Sequence, residues 1–126
     1  FEPQLKRQVI LNETSEKMRY ALECVVAKGS GKKAYVDGYR IGGKTGTAQN
    51  PHGEDHSIFM GFAPKENPQI AIAVYVENSG FGATWAVPIA SLMIEKYLYR
   101  EVSPKRKHVE KHMMESVIEP NTDKKE

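Results

Sequence analysis

The 126-residue sequence has a single cysteine, a single tryptophan and no dominant charge. One cysteine cannot close an internal disulfide, which excludes a disulfide scaffold. Cys24 stands in "ALECVVAKG", apolar company that suits a buried, inert thiol rather than a nucleophile. Lys and Arg number 18 against 16 Asp and Glu, a net charge of +2. With no basic stripe carrying interleaved aromatics, this removes the electrostatic argument for nucleic-acid binding. No apolar run approaches the roughly 18 residues of a membrane span, and no secretory leader is visible. With 40% hydrophobic and 27% charged residues, the composition is otherwise that of an ordinary globular protein. The chain opens on Phe1, and "FEPQLKR" reads as mid-protein sequence, so a fragment of a longer protein is expected.

The hydrophobic pattern that is present changes period along the chain. Met18, Leu22, Val25 and Val26 fall on one stripe of a helix, with Asn12 or Thr14 as its expected cap. Gly29 stands where a helix C-terminus favours positive φ. "GSGKKAYVDG" reads as a loop or irregular strand. Residues 57–63, "SIFMGFA", are apolar at both alternating sets of positions, as in a strand buried on both sides. In "IAIAVYV", residues 70–76, Ile70, Ile72, Val74 and Val76 take one face. Ala71, Ala73 and Tyr75 take the other, where two small residues leave room for close packing. The short "PKENPQ" between these strands favours an antiparallel hairpin.

After the glycine-containing "ENSGFGAT", Thr84 is a good cap for a helix from about Trp85 to Tyr99. Pro88 is tolerated in its first turn. Ile89, Leu92 and Met93 form its apolar face, extended by Ala86, Ala90 and Tyr97. Residues 101–126 are rich in charge and read as a solvated helix fading into a disordered end. The expected class is α+β, with an antiparallel sheet of three strands flanked by helices in residues 1–100 and a charged tail in 101–126.

"GYRIGGKTGTAQ", residues 38–49, fits two incompatible motifs. Gly38, Gly43, Lys44 and Thr45 satisfy G-x-x-x-x-G-K-[ST], the phosphate-binding loop of nucleotide-binding proteins. That loop needs a buried strand before it and a helix opening at the Lys-Thr pair, whose free N–H groups hold the phosphate. Here "GTAQNPHGEDH" follows, with a glycine, a β-branched threonine and an early proline, so no helix is expected. Glu77, at the end of "IAIAVYVE", imitates the acid of a nucleotide site, as any strand ending in an acid would.

Lys44-Thr45-Gly46 is also K-T-G, a motif of penicillin-binding proteins and class A β-lactamases. On an extended strand, Thr45 and Thr47 project to the same side, where two hydroxyls converge on one anion. Gly46 admits a close approach by another backbone or a ligand. Lys44 leaves by the opposite face, or by the edge of the strand, and adds positive potential.

The ordered run "GGKTGTAQ", "DHSIFMGFAP", "NPQIAIAVYVEN" and an Ala/Ile-rich helix resembles the C-terminal part of a class B penicillin-binding protein. The likeness is to the penicillin-binding protein 2 type of peptidoglycan D,D-transpeptidase and spans residues from about 9 to 99. The resemblance implies a β-lactamase/transpeptidase-like fold, with a five-stranded antiparallel sheet whose K-T-G strand lies at one edge beside the cleft. It implies a serine nucleophile in S-x-x-K that forms an acyl-enzyme with D-Ala-D-Ala stem peptides or with β-lactams, and needs no cofactor. It assigns Lys44 to hydrogen bonding toward the S-x-N serine and to proton transfer. Thr45 and Thr47 would hold the substrate carboxylate, with Gly46 between them. The Thr47 N–H would be one oxyanion-hole donor. It also implies an inner-membrane enzyme acting on the periplasmic or extracytoplasmic side, with the anchor outside this segment, and a SEDS-family glycosyltransferase as partner of the full-length protein.

The sequence departs from the family in lacking S-x-N. Its one S-x-x-K is Ser30-Gly-Lys-Lys33, in a glycine-rich loop instead of a buried helix. Ser30 is therefore read as an exposed loop serine, and the segment as one wall of an active site without its nucleophile. Without the strands that pair with 70–76, that strand is expected to be an exposed edge through which the chain self-associates. A non-catalytic peptide- or protein-binding module and a phosphate-loop protein are the alternatives. His108 and His112 share a helical face but have no evident third ligand, so no metal site is assigned. Asp55 and His56, just before the strand at 57–63, and nearby His52 read as solvent-facing loop residues rather than as a border of the cleft or a catalytic trio with Ser57. Trp85 reads as a packing residue with cleft lining as its second role.

Overall fold

A computed structural model describes residue 4 and residues 6–118. The elements run α1 (Asn12–Lys28), β1 (Gly42–Ala48), β2 (His56–Ala63), β3 (Ile70–Val76), α2 (Ala86–Tyr99) and α3 (Lys107–Glu115). Single turns of 3-10 helix occur at Lys32–Ala34 and Pro104–Arg106. The α+β class and the antiparallel hairpin are as expected.

The strands form one antiparallel sheet in the order β1-β2-β3. Phe59 faces Thr45 on one side and Val74 on the other, while Met60 lies between Lys44 and Ala73. This register separates the two faces. On the first, Ser57, Phe59, Gly61 and Ala63 are buried, with Ile70, Ile72, Val74 and Val76 packed against the core they join. Val26 of α1 and Ala86, Val87, Ala90 and Ile94 of α2 complete that core. On the second face, Met60 is 60% exposed and Tyr75 is 53% exposed. Ala71 and Ala73 are exposed beside them. β2 is thus buried fully on one side only, the side on which Val26 of α1 and the buried residues of α2 meet the sheet.

Gly42 and Gly43 let β1 lie close to β2. A Cβ on Gly43 would stand 2.4 Å from the Phe59 ring, and one on Gly42 would stand 2.5 Å from the Phe62 ring. Each glycine makes room for a phenylalanine of the neighbouring strand, one per face.

Three local expectations are corrected. Leu11, not Asn12 or Thr14, occupies the cap position of α1, without a side-chain cap. Gly29 has φ of −110°, so it supplies space rather than a left-handed turn: a Cβ there would come within 2.9 Å of the Val25 carbonyl oxygen. At α2, Trp85 is the cap residue and contributes no side-chain hydrogen bond; the Ala86 N–H instead donates to Ser57 Oγ at 3.1 Å.

The buried face of α2 also differs from the apolar stripe read from sequence. Ala86, Val87, Ala90, Ser91, Ile94 and Glu95 are buried. Of the stripe read from sequence, Ala86, Ala90 and Leu92 are buried while Met93 is exposed; Ile89, Leu92 and Met93 line a groove of about 330 Å³ with Val102 and Met114. The expected solvated helix is present as α3, which has no buried residue, but the segment that joins it to α2 packs back: Val102 is 2% exposed. Arg106 donates to Glu95 at 2.7 Å and to Ser91 Oγ at 2.6 Å. The Ser103 N–H donates to the other oxygen of Glu95. Glu95, 1% exposed, therefore has both oxygens satisfied, the condition under which a buried carboxylate is tolerated. The expected disordered end, "EPNTDKKE", lies outside the described residues.

Candidate functional site

Lys44 and Thr45 lie within β1, which continues to Ala48. No helix opens at the Lys-Thr pair, so the N-terminal anion site of a phosphate loop is not formed there. β1 is an edge of the described sheet, and alternation separates the K-T-G side chains as its sequence predicts. Thr45 and Thr47 pair with Phe59 and Ser57 on the helix-covered side, while Lys44 pairs with Met60 on the bare side.

Lys44 is exposed, and its ammonium donates to the Thr45 carbonyl at 2.7 Å. Among the described residues it forms no ion pair. It borders an open cavity of about 470 Å³ on the bare face, with Leu22, Met60, Phe62, Ala71 and Ala73. A lysine at the mouth of an apolar hollow supplies a mobile positive charge beside a surface shaped for packing.

The Thr45 hydroxyl lies 2.7 Å from Ser30 Oγ. Ser30 is exposed, as read from sequence, but it is held against the K-T-G strand. Thr47 is exposed and free to turn its hydroxyl toward a ligand.

The close approach sought at Gly46 occurs through another glycine. A Cβ on Gly82 would fall 2.5 Å from the Gly46 oxygen and 2.6 Å from the Ile58 oxygen. The β3–α2 loop thus lies directly on the backbone of the K-T-G strand. Ser57 fixes the same loop: its hydroxyl, 0% exposed, donates to the Phe81 carbonyl at 3.1 Å and accepts from Ala86 N–H. In the sequence Gly82 is only one glycine of "SGFGAT", and Ser57 is the first residue of a buried strand with no sign of the loop that it fixes.

The end of the site is built from two interlocked loops. Asn50 donates to the Asn78 side chain at 2.6 Å. Asp55 accepts the Asn50 N–H with its carboxylate and the Ser79 and Gly80 N–H groups with its carbonyl. His56 Nδ1 accepts the Asn78 N–H at 3.0 Å, which places the proton of its neutral ring on Nε2. Asn78 has φ of +50°, a conformation asparagine tolerates. Asp55, His56 and Ser57 are thus structural connectors, not a nucleophile-base relay, and His52 is exposed.

On the far side, Glu23 of α1 bonds Lys65 at 3.0 Å and Arg40 at 3.1 Å, and Arg40 also pairs with Glu66. The Lys65 hydrogen bond, followed by the Arg40 charge, holds the Glu23 carboxyl below the usual carboxylate range against the opposing effect of desolvation. This network ties α1 to the β2–β3 turn. Among the described residues no group of three His, Cys, Asp or Glu is arranged to hold a metal; the His112 ring stacks on Trp85 at 6.2 Å. Cys24 is half-buried.

A family model described as the penicillin binding protein transpeptidase domain matches residues 2–95. Stage V sporulation protein D of Bacillus subtilis (strain 168) is 44% identical over 120 residues, covering 86% of this chain and 19% of that protein. Peptidoglycan D,D-transpeptidase MrdA of Haemophilus influenzae is 35% identical over 98 residues, covering 65% of this chain and 15% of its own length. Penicillin-binding protein A of Mycobacterium tuberculosis, solved as a ceftriaxone acyl-enzyme complex, superposes with a TM-score of 0.63 at 29% identity, over 71% of this chain and 22% of that one. The chain thus spans less than a fifth of the length of the two curated relatives, at 19% and 15%.

Proposed function

The chain belongs to the penicillin binding protein transpeptidase domain family, and on that premise we propose that it is the C-terminal part of a serine D,D-transpeptidase of the penicillin-binding protein 2 type. The observation that carries this reading is the division of the K-T-G strand. Its two hydroxyls stand on one side and its ammonium on the other, at the edge of a sheet whose Lys44-bearing face is bare.

In the whole enzyme, the upstream part of the domain covers that bare face and brings the nucleophilic serine beside Lys44. The serine oxygen attacks the penultimate D-Ala carbonyl, and the terminal D-Ala leaves as an amine. A second stem-peptide amine then displaces the serine. Thr45 and Thr47 hold the carboxylate of the donor peptide, or that of a β-lactam, by hydrogen bonds worth about 1.5–3 kcal/mol each. The Thr47 N–H donates to the oxyanion, a contact worth about 3–4 kcal/mol of barrier. Lys44 supplies positive potential and hydrogen-bonds the serine of S-x-N. These residues bind, orient and stabilise charge; the attacking group comes from elsewhere in the protein.

None of the described helices is long and apolar enough to cross a membrane. By the family likeness, we assign a membrane anchor, an extracytoplasmic location and pairing with a SEDS-family glycosyltransferase to the full-length protein. In isolation, the β3 edge pairs with a second copy.

Fluorescent penicillin tests the reading. The full-length protein is expected to form a covalent adduct that maps to a serine upstream of residue 1, and the isolated chain none. A full-length protein that takes up no label, with every motif present, would favour a non-catalytic binding module. Saturable Mg-ATP binding lost in Lys44→Ala would favour the phosphate-loop reading.

A further inference from the structure

We propose that Ser30 is a positioning residue of the carboxylate site, donating its hydroxyl proton to Thr45 so that Thr45 commits its own proton to the ligand. The proposal rests on the functional reading above and adds a residue to it. Its first support is the 2.7 Å contact between Ser30 Oγ and Thr45 Oγ1, which joins positions 15 residues apart.

The second support is that the chain on both sides of Ser30 is tied down. The Gly29 and Gly31 N–H groups both donate to the Val25 carbonyl at 3.0 Å. Gly31 is buried, and a Cβ there would meet Val25 O and Val26 Cγ2 at 3.3 Å each. Val26 is a core residue at 3% exposure, and Ala34, closing the turn that follows, is 0% exposed. The segment "GSG" is therefore a tight exit from α1 that is seated on the core and carries one hydroxyl to the K-T-G strand.

Proton counting gives the contact its direction. A threonine hydroxyl has one proton and two lone pairs. To bind a carboxylate, Thr45 must spend its proton outward, so its contact with Ser30 is then one in which Thr45 accepts. Ser30, exposed to water, supplies that proton. The resulting chain, Ser30 O–H to Thr45 O–H to carboxylate, is unidirectional, and each bond polarises the next. Without Ser30 the Thr45 hydroxyl rotates freely and presents a lone pair to the anion part of the time. Ser30 meets another hydroxyl rather than a base, so it is not the nucleophile of its S-x-x-K.

The test uses the full-length protein and two probes: benzylpenicillin, and its methyl ester, which lacks the anionic carboxylate. Second-order acylation rates are measured by competition with a fluorescent penicillin. Ser30→Ala is expected to slow acylation by benzylpenicillin about five- to tenfold and to leave the ester rate unchanged, with an unaltered melting temperature. Ser30→Thr keeps the hydroxyl and is expected to retain the wild-type rate. In a Thr45→Val background, Ser30→Ala is expected to add nothing. Equal slowing of both probes would assign Ser30 a merely structural role, and an unchanged benzylpenicillin rate would show the contact idle; either result overturns the proposal. Wild-type protein that is not acylated at all would instead overturn the underlying functional reading.

Discussion

The two faces of the sheet share a backbone and differ in everything else. On one, Phe59 is 0% exposed beneath Ala86, Val87 and Ala90; on the other, Met60, the next residue along, is 60% exposed. The covered face has alternating large and small side chains already engaged by two helices. The bare face carries exposed Tyr75, and two exposed alanines and Lys44 border an open hollow on it. An apolar face of this kind on a folded chain marks a docking surface. Under the proposed function the covered face is what holds this segment together, and the bare face is where the rest of the active site arrives.

Substitutions on the two faces therefore separate stability from assembly. The largest expected effect is Phe59→Ala, which empties the centre of the covered face and costs about 4 kcal/mol in urea unfolding of the chain. Next comes Arg106→Ala, which leaves Glu95 buried without its partner and costs about 3 kcal/mol. A loss near zero there would place residues 101–115 outside the cooperative unit. Gly82→Ala drives a methyl group into the Gly46 and Ile58 carbonyls; it is expected to cost about 2 kcal/mol and to slow acylation of the full-length protein by displacing the K-T-G strand.

On the bare face, Met60→Ser is expected to change the stability of the isolated chain by no more than about 0.5 kcal/mol, while destabilising the full-length protein several times more. The smallest effect is electrostatic. Glu23 has a depressed carboxyl pKa in the fold, so its contribution is fully present above the ordinary carboxylate value of about 4.3. It is lost as pH falls through the lower folded value. Glu23→Gln is expected to flatten that acid limb of a stability-against-pH curve without altering its shape near neutrality.

Much of this was legible in the sequence because it depends on period-2 spacing. Ile70, Ile72, Val74 and Val76 declare one face of β3 unaided, and Gly46 with its two flanking threonines identifies a strand rather than a phosphate loop. What escaped depends on partners far along the chain. Ala86 and Ala90 of the stripe read from sequence do face the core, but Ile89, Leu92 and Met93 line the groove beside α3, and Ser91 and Ile94 take the buried positions that the stripe missed. Ser57 reads as the start of a buried strand, and its role as acceptor for the N-terminus of α2 appears only when that helix comes to rest on it. Arg106 reads as a charge of the solvated segment until it meets buried Glu95. Ser30 is the clearest case: polarity and flanking glycines spelled an exposed loop, and nothing local indicated that the loop ends on Thr45.

The most direct test of the division between faces is hydroxyl-radical footprinting at Met60, compared between the isolated chain and the full-length protein. Strong oxidation of Met60 in the chain and clear protection in the full-length protein, with Phe59 protected in both, is the predicted result. Equal oxidation of Met60 in the two would mean that nothing docks on the bare face, and would contradict the assignment of the missing nucleophile to that side of the sheet.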